Sequence, residues 1–134
     1  MLLFASWLAG CKAVQLAGYD QRAYEFATTL KPETTNIISR SPSTTYNDAE
    51  SQLNELLVRI EGAYEYANGV KFNNEAANNW RDLIDDFLTP TKDQWKKKGT
   101  LEAGFATEIG SQIKEAFDTI ICLEANKREL SQCS

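Results

Sequence analysis

The feature that most constrains this chain is a regular recurrence of apolar residues, three or four apart, between positions 47 and 69. This spacing is that of one face of an α-helix. Asn47 is a candidate N-cap, Glu50 stands where a capping-box acid belongs, and Gly69 suits the left-handed turn that ends a helix. The sequence therefore predicts a long amphipathic helix, and its buried stripe consists of Ala49, Leu53, Leu56, Leu57, Ile60, Ala63, Tyr64 and Ala67.

The segments before this helix show the same period. Apolar residues recur through positions 14–30 and predict a second long helix. Pro32 suits the first turn of a short helix over residues 33–40, because a proline has no N–H to leave unpaired there. The serine, threonine and proline residues at positions 41–45 predict a loop.

The segments after it are also helical in pattern. A helix from about Asn74 is expected to end before Pro90, and Trp95 to lie in a short basic turn. A third long helix is expected from Thr100, a candidate N-cap, to about Lys127. No segment alternates like a strand. The chain of 134 residues is therefore predicted to be one all-α domain, an antiparallel bundle of three long amphipathic helices plus shorter ones.

The composition removes several classes of chemistry. The chain contains no histidine, so the usual neutral-pH general base and a common metal ligand are absent. Its net charge is −5 and its 14 basic residues are dispersed apart from a run at positions 96–98, which argues against nucleic acid as a partner. The sequence contains no recognisable Gly-rich phosphate loop or calcium loop. We expect neither a bound metal nor another cofactor.

The remaining material for catalysis is a set of carboxylates. Glu61 and Glu65 lie four apart on one predicted helix, and Asp82, Asp85 and Asp86 cluster on another. Carboxylates converge in this way in di-iron bundles, but those sites also require Glu-x-x-His pairs. A solvated helix face is the simpler interpretation, and we assign no catalytic residue. A carboxylate-dependent enzyme is the alternative hypothesis.

Aromatic residues are the candidates for contact with a partner. Trp80 and Phe87 follow a core stripe and are expected to be buried. Trp95 is followed by the three lysines at positions 96–98, so its ring either caps the end of the bundle or lies partly exposed as a partner contact. Tyr64 and Tyr66 could edge a groove between helices that admits a ligand.

The N-terminus carries a more specific motif. Residues 2–9 form an apolar run that is too short to span a bilayer but has the length of a secretory-signal core. The run leads into Leu8-Ala9-Gly10-Cys11, which resembles the lipobox of bacterial lipoproteins. In that family a peptidase cuts before the cysteine after its thiol has been acylated.

This resemblance implies a cellular location. It predicts a signal peptide over residues 1–10 and a single helical domain over residues 11–134, held to the membrane by lipid on Cys11. In lipoproteins an aspartate after the cysteine favours the inner membrane, so Lys12 favours the outer membrane, facing the periplasm. An ordinary secretory signal begins with Lys or Arg, and this one has neither before the cut site. The alternative is a cytosolic helical protein with an uncleaved apolar N-terminus.

Two cysteines remain if Cys11 carries lipid. Cys122 is expected late in the last helix, and a tail that turns back would bring Cys133 beside it. Such a pair forms a disulfide in an oxidising compartment and stays reduced in the cytosol. We therefore predict a disulfide between Cys122 and Cys133 if the protein is exported.

Three stretches of the chain are similar to small uncharacterised bacterial lipoproteins with a helical mature part. They are residues 19–33, Ala63-Tyr64-Glu65-Tyr66, and residues 116–121. This resemblance implies a helical fold and an envelope location, and it carries over no catalytic residue. We expect a membrane-tethered, non-catalytic module that binds another envelope protein or a ligand.

Overall fold

The described part of the chain, residues 17–127 and 130–133 of a computed structural model, consists of four helical stretches and contains no strand. Cys11 and the predicted signal lie outside it. The first stretch is α1, Gln21–Ser39, and the second is α2, Tyr46–Gly69. The prediction of an all-α fold is confirmed.

The third stretch joins segments that were predicted as separate. It comprises α3 (Asn74–Asp82), a π-helical turn (Leu83–Leu88) and α4 (Thr89–Lys98), which follow one another without a break. The fourth stretch is α5, Ala103–Ala125, and a 3-10 turn follows at Leu130–Cys133. None of the described helices is both long and apolar enough to cross a bilayer.

The four stretches form an up-and-down bundle around one core. The hydroxyl of Tyr66, late in α2, reaches Asp20 at the start of α1, so these two helices are antiparallel. Trp80 of α3 packs edge-on against Phe117 of α5, with 5.8 Å between the ring centroids. α2 and α5 each lie beside both α1 and α3. The fully buried large side chains include Leu30, Ile37, Ile38, Ile60, Trp80, Leu83, Trp95, Ile113, Phe117 and Ile120.

The caps of the helices differ from those predicted. Asp20 caps α1 by accepting a hydrogen bond from the Ala23 N–H at 3.1 Å. Thr45 rather than Asn47 caps α2. Glu102 rather than Thr100 precedes α5, and it makes no capping hydrogen bond with its side chain. Both N-caps that were predicted, Asn47 and Thr100, are therefore two positions away from the observed ones, as is common at helix ends.

Pro32 lies inside α1, so the prediction of two helices separated at this proline is wrong. The ring is on the solvent-exposed side of the helix. Water can therefore solvate the carbonyl that loses its N–H partner, and the helix continues. Leu30 and Thr34, on either side of Pro32, are both buried and hold the two halves against the core.

Pro90 also fails to end a helix, contrary to the prediction. The π-helical turn comes directly before it, and the Thr89 N–H bonds the Ile84 carbonyl five residues earlier. This widened turn inserts one residue into the helix and makes room for a ring that would clash with a carbonyl of the preceding turn. The chain therefore passes Pro90 without a change of stretch.

The N-terminal helix begins later than predicted. Residues 17–20 are not helical, and the Ala17 N–H instead bonds the Phe72 carbonyl at 3.3 Å, beyond the end of α2. The chain therefore enters the bundle at the end where α2 turns into α3.

Candidate functional site

A groove between α1 and α2 contains one of the predicted contact residues, Tyr66. It has a volume of about 580 Å³. Its apolar wall is made by Phe26, Leu30 and the ring of Tyr66. Three residues of α1, Arg22, Glu25 and Thr29, also line the groove. Tyr66 lines this groove between helices, and its contact with a partner stays a prediction.

The Tyr66 ring is held in place from three directions. Its hydroxyl donates a hydrogen bond to Asp20 Oδ2 at 2.7 Å. Phe26 packs against it edge-on at 5.5 Å between centroids, and the Arg22 guanidinium lies 5.8 Å from the ring centroid. The wall of the groove is therefore set before any ligand binds, which lowers the ordering cost of binding.

The hydrogen bond between Tyr66 and Asp20 alters both titrations. The hydrogen bond to Asp20 raises the pKa of Tyr66 above its usual value, because it stabilises the protonated phenol. Burial raises the pKa of Asp20, but the hydrogen bonds from Tyr66 and from backbone N–H groups, with the charge of Arg22, together lower that pKa below 3.8. Asp20 is therefore ionised at neutral pH.

Gly62 lies in the groove, in the middle of α2. A Cβ atom added at this position would meet nothing within 4 Å. Glycine inside a helix costs about 1 kcal/mol relative to alanine. Packing in the described structure therefore gives no reason for a glycine here.

An ion pair crosses the groove farther along. Arg59 of α2 makes a two-pronged contact with Glu33 of α1, and both side chains are about half exposed. Beyond it lies a second concave surface with a more polar lining, including Asn36, Gln52 and Glu55. From Arg22 to Asn36 the two surfaces together follow α1 for about 20 Å, at 1.5 Å of rise per residue.

Tyr64 lies elsewhere, so the prediction that it shares a groove with Tyr66 is wrong. The Arg81 guanidinium of α3 stands 3.9 Å from the centroid of the Tyr64 ring, in a cation–π contact. Residues two apart in an α-helix point to opposite sides of its axis and do not share a face. Tyr64 therefore helps to join α2 to α3.

The predicted carboxylates do not form one cluster. Arg81 lies 3.7 Å from both Glu61 and Asp85 and bridges them. Asp82 and Asp86 line a different groove, beside α5, and Glu65 is exposed. Among the described residues no three His, Cys, Asp or Glu side chains are grouped so that they could hold a metal ion.

Trp95 is buried, so of the two alternatives the partly exposed partner contact is wrong. The side chain is 0% exposed, and its indole N–H donates to the Thr44 carbonyl at 3.1 Å. Tyr46 packs against the ring edge-on, at 6.3 Å. The neighbouring lysines extend from the end of α4 while the ring points inward. The interpretation of Trp95 as a cap over the end of the bundle is the one that fits.

The opposite end of the bundle contains features that the sequence analysis did not single out. Glu124 is 0% exposed, and the Lys127 ammonium lies 2.8 Å from its Oε2. Lys127 also donates to Asn73 Oδ1, and Asn73 donates to the Ala67 carbonyl at 3.1 Å. A Glu and a Lys three apart at the end of a helix look like surface residues, so only the tertiary structure reveals this buried pair.

The predicted disulfide is present at the same end. Cys122 of α5 and Cys133 of the 3-10 turn are bonded, with 5.5 Å between their Cα atoms and 11 residues of sequence separation. The bond draws the tail back along α5 and covers the end of the core.

The chain was compared with known protein families, curated proteins and solved structures. No family matches it, and neither a curated protein nor a solved structure is significantly similar to it.

Proposed function

We propose that this protein is a membrane-tethered bacterial envelope lipoprotein, anchored at Cys11, which acts as a non-catalytic binding module. Its ligand is an amphipathic segment of another envelope protein, which lies in the groove between α1 and α2. The observation that carries the binding role is this groove, with a preformed aromatic wall and an unfilled glycine.

Two observations support the envelope location. Leu8-Ala9-Gly10-Cys11 resembles a lipobox. The second is the disulfide between Cys122 and Cys133, because such bonds persist in the periplasm and are rare in the cytosol. The two observations concern opposite ends of the sequence and are independent.

The shape and lining of the groove support the class of ligand. About 20 Å of length corresponds to roughly four turns of a helix. The half lined by Phe26, Leu30 and Tyr66 suits an apolar stripe, and the half beyond Arg59 suits polar residues. A groove of this kind takes the apolar face of an amphipathic helix.

The location is tested by the intact mass of the full chain expressed in bacteria, together with detergent partitioning. Loss of residues 1–10 and a gain of acyl chains are expected for the wild type, and Cys11→Ala should abolish both. An unprocessed, water-soluble wild-type chain would contradict the lipoprotein proposal and favour the cytosolic alternative.

The binding role is tested by photocross-linking in intact cells. A photoreactive residue in place of Thr29, which lines the α1–α2 groove, is expected to capture one defined envelope protein. The matched control carries it in place of Asp86, in the groove beside α5. Gly62→Leu should fill the first groove without disturbing the fold and remove the product at position 29. Equal products at both positions would contradict the assignment of the groove.

A further inference from the structure

Phe72 is an unusual residue for its position. Its backbone has φ +62°, in the left-handed region that glycine and asparagine occupy easily and a bulky residue does not. Its side chain is 52% exposed. An asparagine or a glycine at this position would relieve the backbone strain. Burial gives little reason for a phenylalanine here. Strained backbone clusters at functional sites, so Phe72 is a candidate for a contact surface.

The position of Phe72 relative to the start of the domain suggests what it contacts. The Phe72 carbonyl accepts the hydrogen bond from Ala17, so the loop and the incoming chain lie side by side. Ala17 is only six positions after Cys11, and six extended residues reach at most about 20 Å. Lipid on Cys11 would therefore keep this end of the bundle close to the bilayer.

The chemistry of this end suits a lipid surface. Tyr19, two residues after Ala17, is 59% exposed. The loop between α2 and α3, at positions 70–73, contains Lys71 beside Phe72 and no acidic residue, although the whole chain has a net charge of −5. Exposed aromatic rings with a neighbouring lysine are typical of segments that lie at the membrane interface.

We propose that Phe72 and Tyr19 insert into the lipid headgroup region and hold the bundle upright on the membrane. This inference rests on the proposed anchoring at Cys11. One or two rings are too few to bind a membrane alone, and their role is to orient a domain that the lipid already holds. The groove between α1 and α2 then begins near the bilayer, at Arg22 and Tyr66, and runs away from it along the length of the bundle.

The test uses the acylated full-length protein with Phe72→Trp in vesicles of phosphatidylcholine, with and without bromine on the acyl chains. Bromine quenches tryptophan only at short range. Trp80 and Trp95 are 1% and 0% exposed, so the wild type supplies a constant background to subtract. The matched control is Val58→Trp, because Val58 is 71% exposed and lies midway along α2.

We expect both variants to float with the vesicles, and quenching at position 72 to exceed that at position 58 by at least about twofold, since only position 72 lies at the interface. Tyr19→Trp should behave like Phe72→Trp. Floating protein with equal quenching at positions 72 and 58 would overturn the inference while leaving the lipid anchor intact. Protein that does not float would overturn both. Circular dichroism checks that each variant is folded.

Discussion

The hydroxyl of Tyr66 donates a 2.7 Å hydrogen bond to one oxygen of Asp20, while the other oxygen of that carboxylate caps α1. A single side chain thus begins one helix and ties it to the end of the next. The same contact fixes the aromatic wall of the α1–α2 groove. Helix stability and the shape of the groove are therefore linked through Asp20.

Tyr66→Phe is expected to raise the pKa of Asp20, because it removes a hydrogen bond to the ionised form. The folded-state pKa of Asp20 is lowered relative to the ordinary value of 3.8. Its contribution to stability is therefore present above that value and is lost as the pH falls through the folded-state pKa. Tyr66→Phe should be less stable than the wild type at neutral pH. As the pH falls, protonation of Asp20 should then lower the free energy of unfolding less in the variant than in the wild type.

The measurement is an NMR titration of the Asp20 carboxyl together with urea unfolding at pH 7 and pH 3. Tyr24→Phe on α1 is the matched control and should leave the titration of Asp20 unchanged. An unchanged Asp20 pKa in Tyr66→Phe would show that this hydrogen bond does not hold the carboxylate in solution.

Reduction of the disulfide between Cys122 and Cys133 is expected to lower the free energy of unfolding by about 3 kcal/mol, from the entropy of closing a loop of this length. Urea unfolding with and without reductant measures this difference, in a Cys11→Ala background so that no third thiol can exchange. Cys133→Ser is the control, and reductant should then have no effect. Identical unfolding of the oxidised and reduced proteins would contradict the prediction.

Gly62→Ala is expected to raise the free energy of unfolding by about 0.5–1 kcal/mol, because the alanine has a better helix propensity and its methyl group meets nothing. Gly99→Ala should have the opposite sign, since Gly99 has φ +82° and an alanine is strained there. Thermal unfolding of both variants checks the pair. A destabilised Gly62→Ala would mean that position 62 is closely packed and the groove is not open.

The sequence predicted the helices well where the apolar period is strong. Ala49, Leu53, Leu56, Ile60 and Ala63 were all predicted on the buried stripe of α2, and all are buried. The two prolines misled because local preference favours a break, whereas packing on both sides keeps each helix continuous. At Pro32 the exposed position lowers the energetic cost of a continuous helix. At Pro90 the π-helical turn lowers it.

The candidate site was less predictable because it depends on pairs that are distant in sequence. Tyr66 was identified as a groove residue, but its partner Asp20 lies 46 positions away and no local pattern links them. Trp95 was ambiguous because its lysine neighbours suggest exposure, and only its burial against Tyr46 decides the question. Phe72 carries no sequence signal for its positive φ, which follows from the path of the loop.

The buried pair of Glu124 and Lys127 leads to a prediction that separates the cost of a lone charge from the value of the pair. Glu124 Oε2 lies 2.8 Å from the Lys127 ammonium, and Oε1 accepts a hydrogen bond from the Asn73 side chain at 3.5 Å. Lys127→Met should therefore lower the free energy of unfolding by about 3–5 kcal/mol, since it removes the cation that compensates a buried carboxylate. Adding Glu124→Gln to that variant should recover much of the loss, because two neutral side chains need no ion pair.

A double-mutant cycle by urea unfolding at pH 7 measures both effects. The control is the exposed pair of Arg59 and Glu33, which is expected to contribute less than about 1 kcal/mol. If Lys127→Met proves as mild as the exposed control, then water reaches Glu124 in solution and the end of the bundle is more open than its burial indicates.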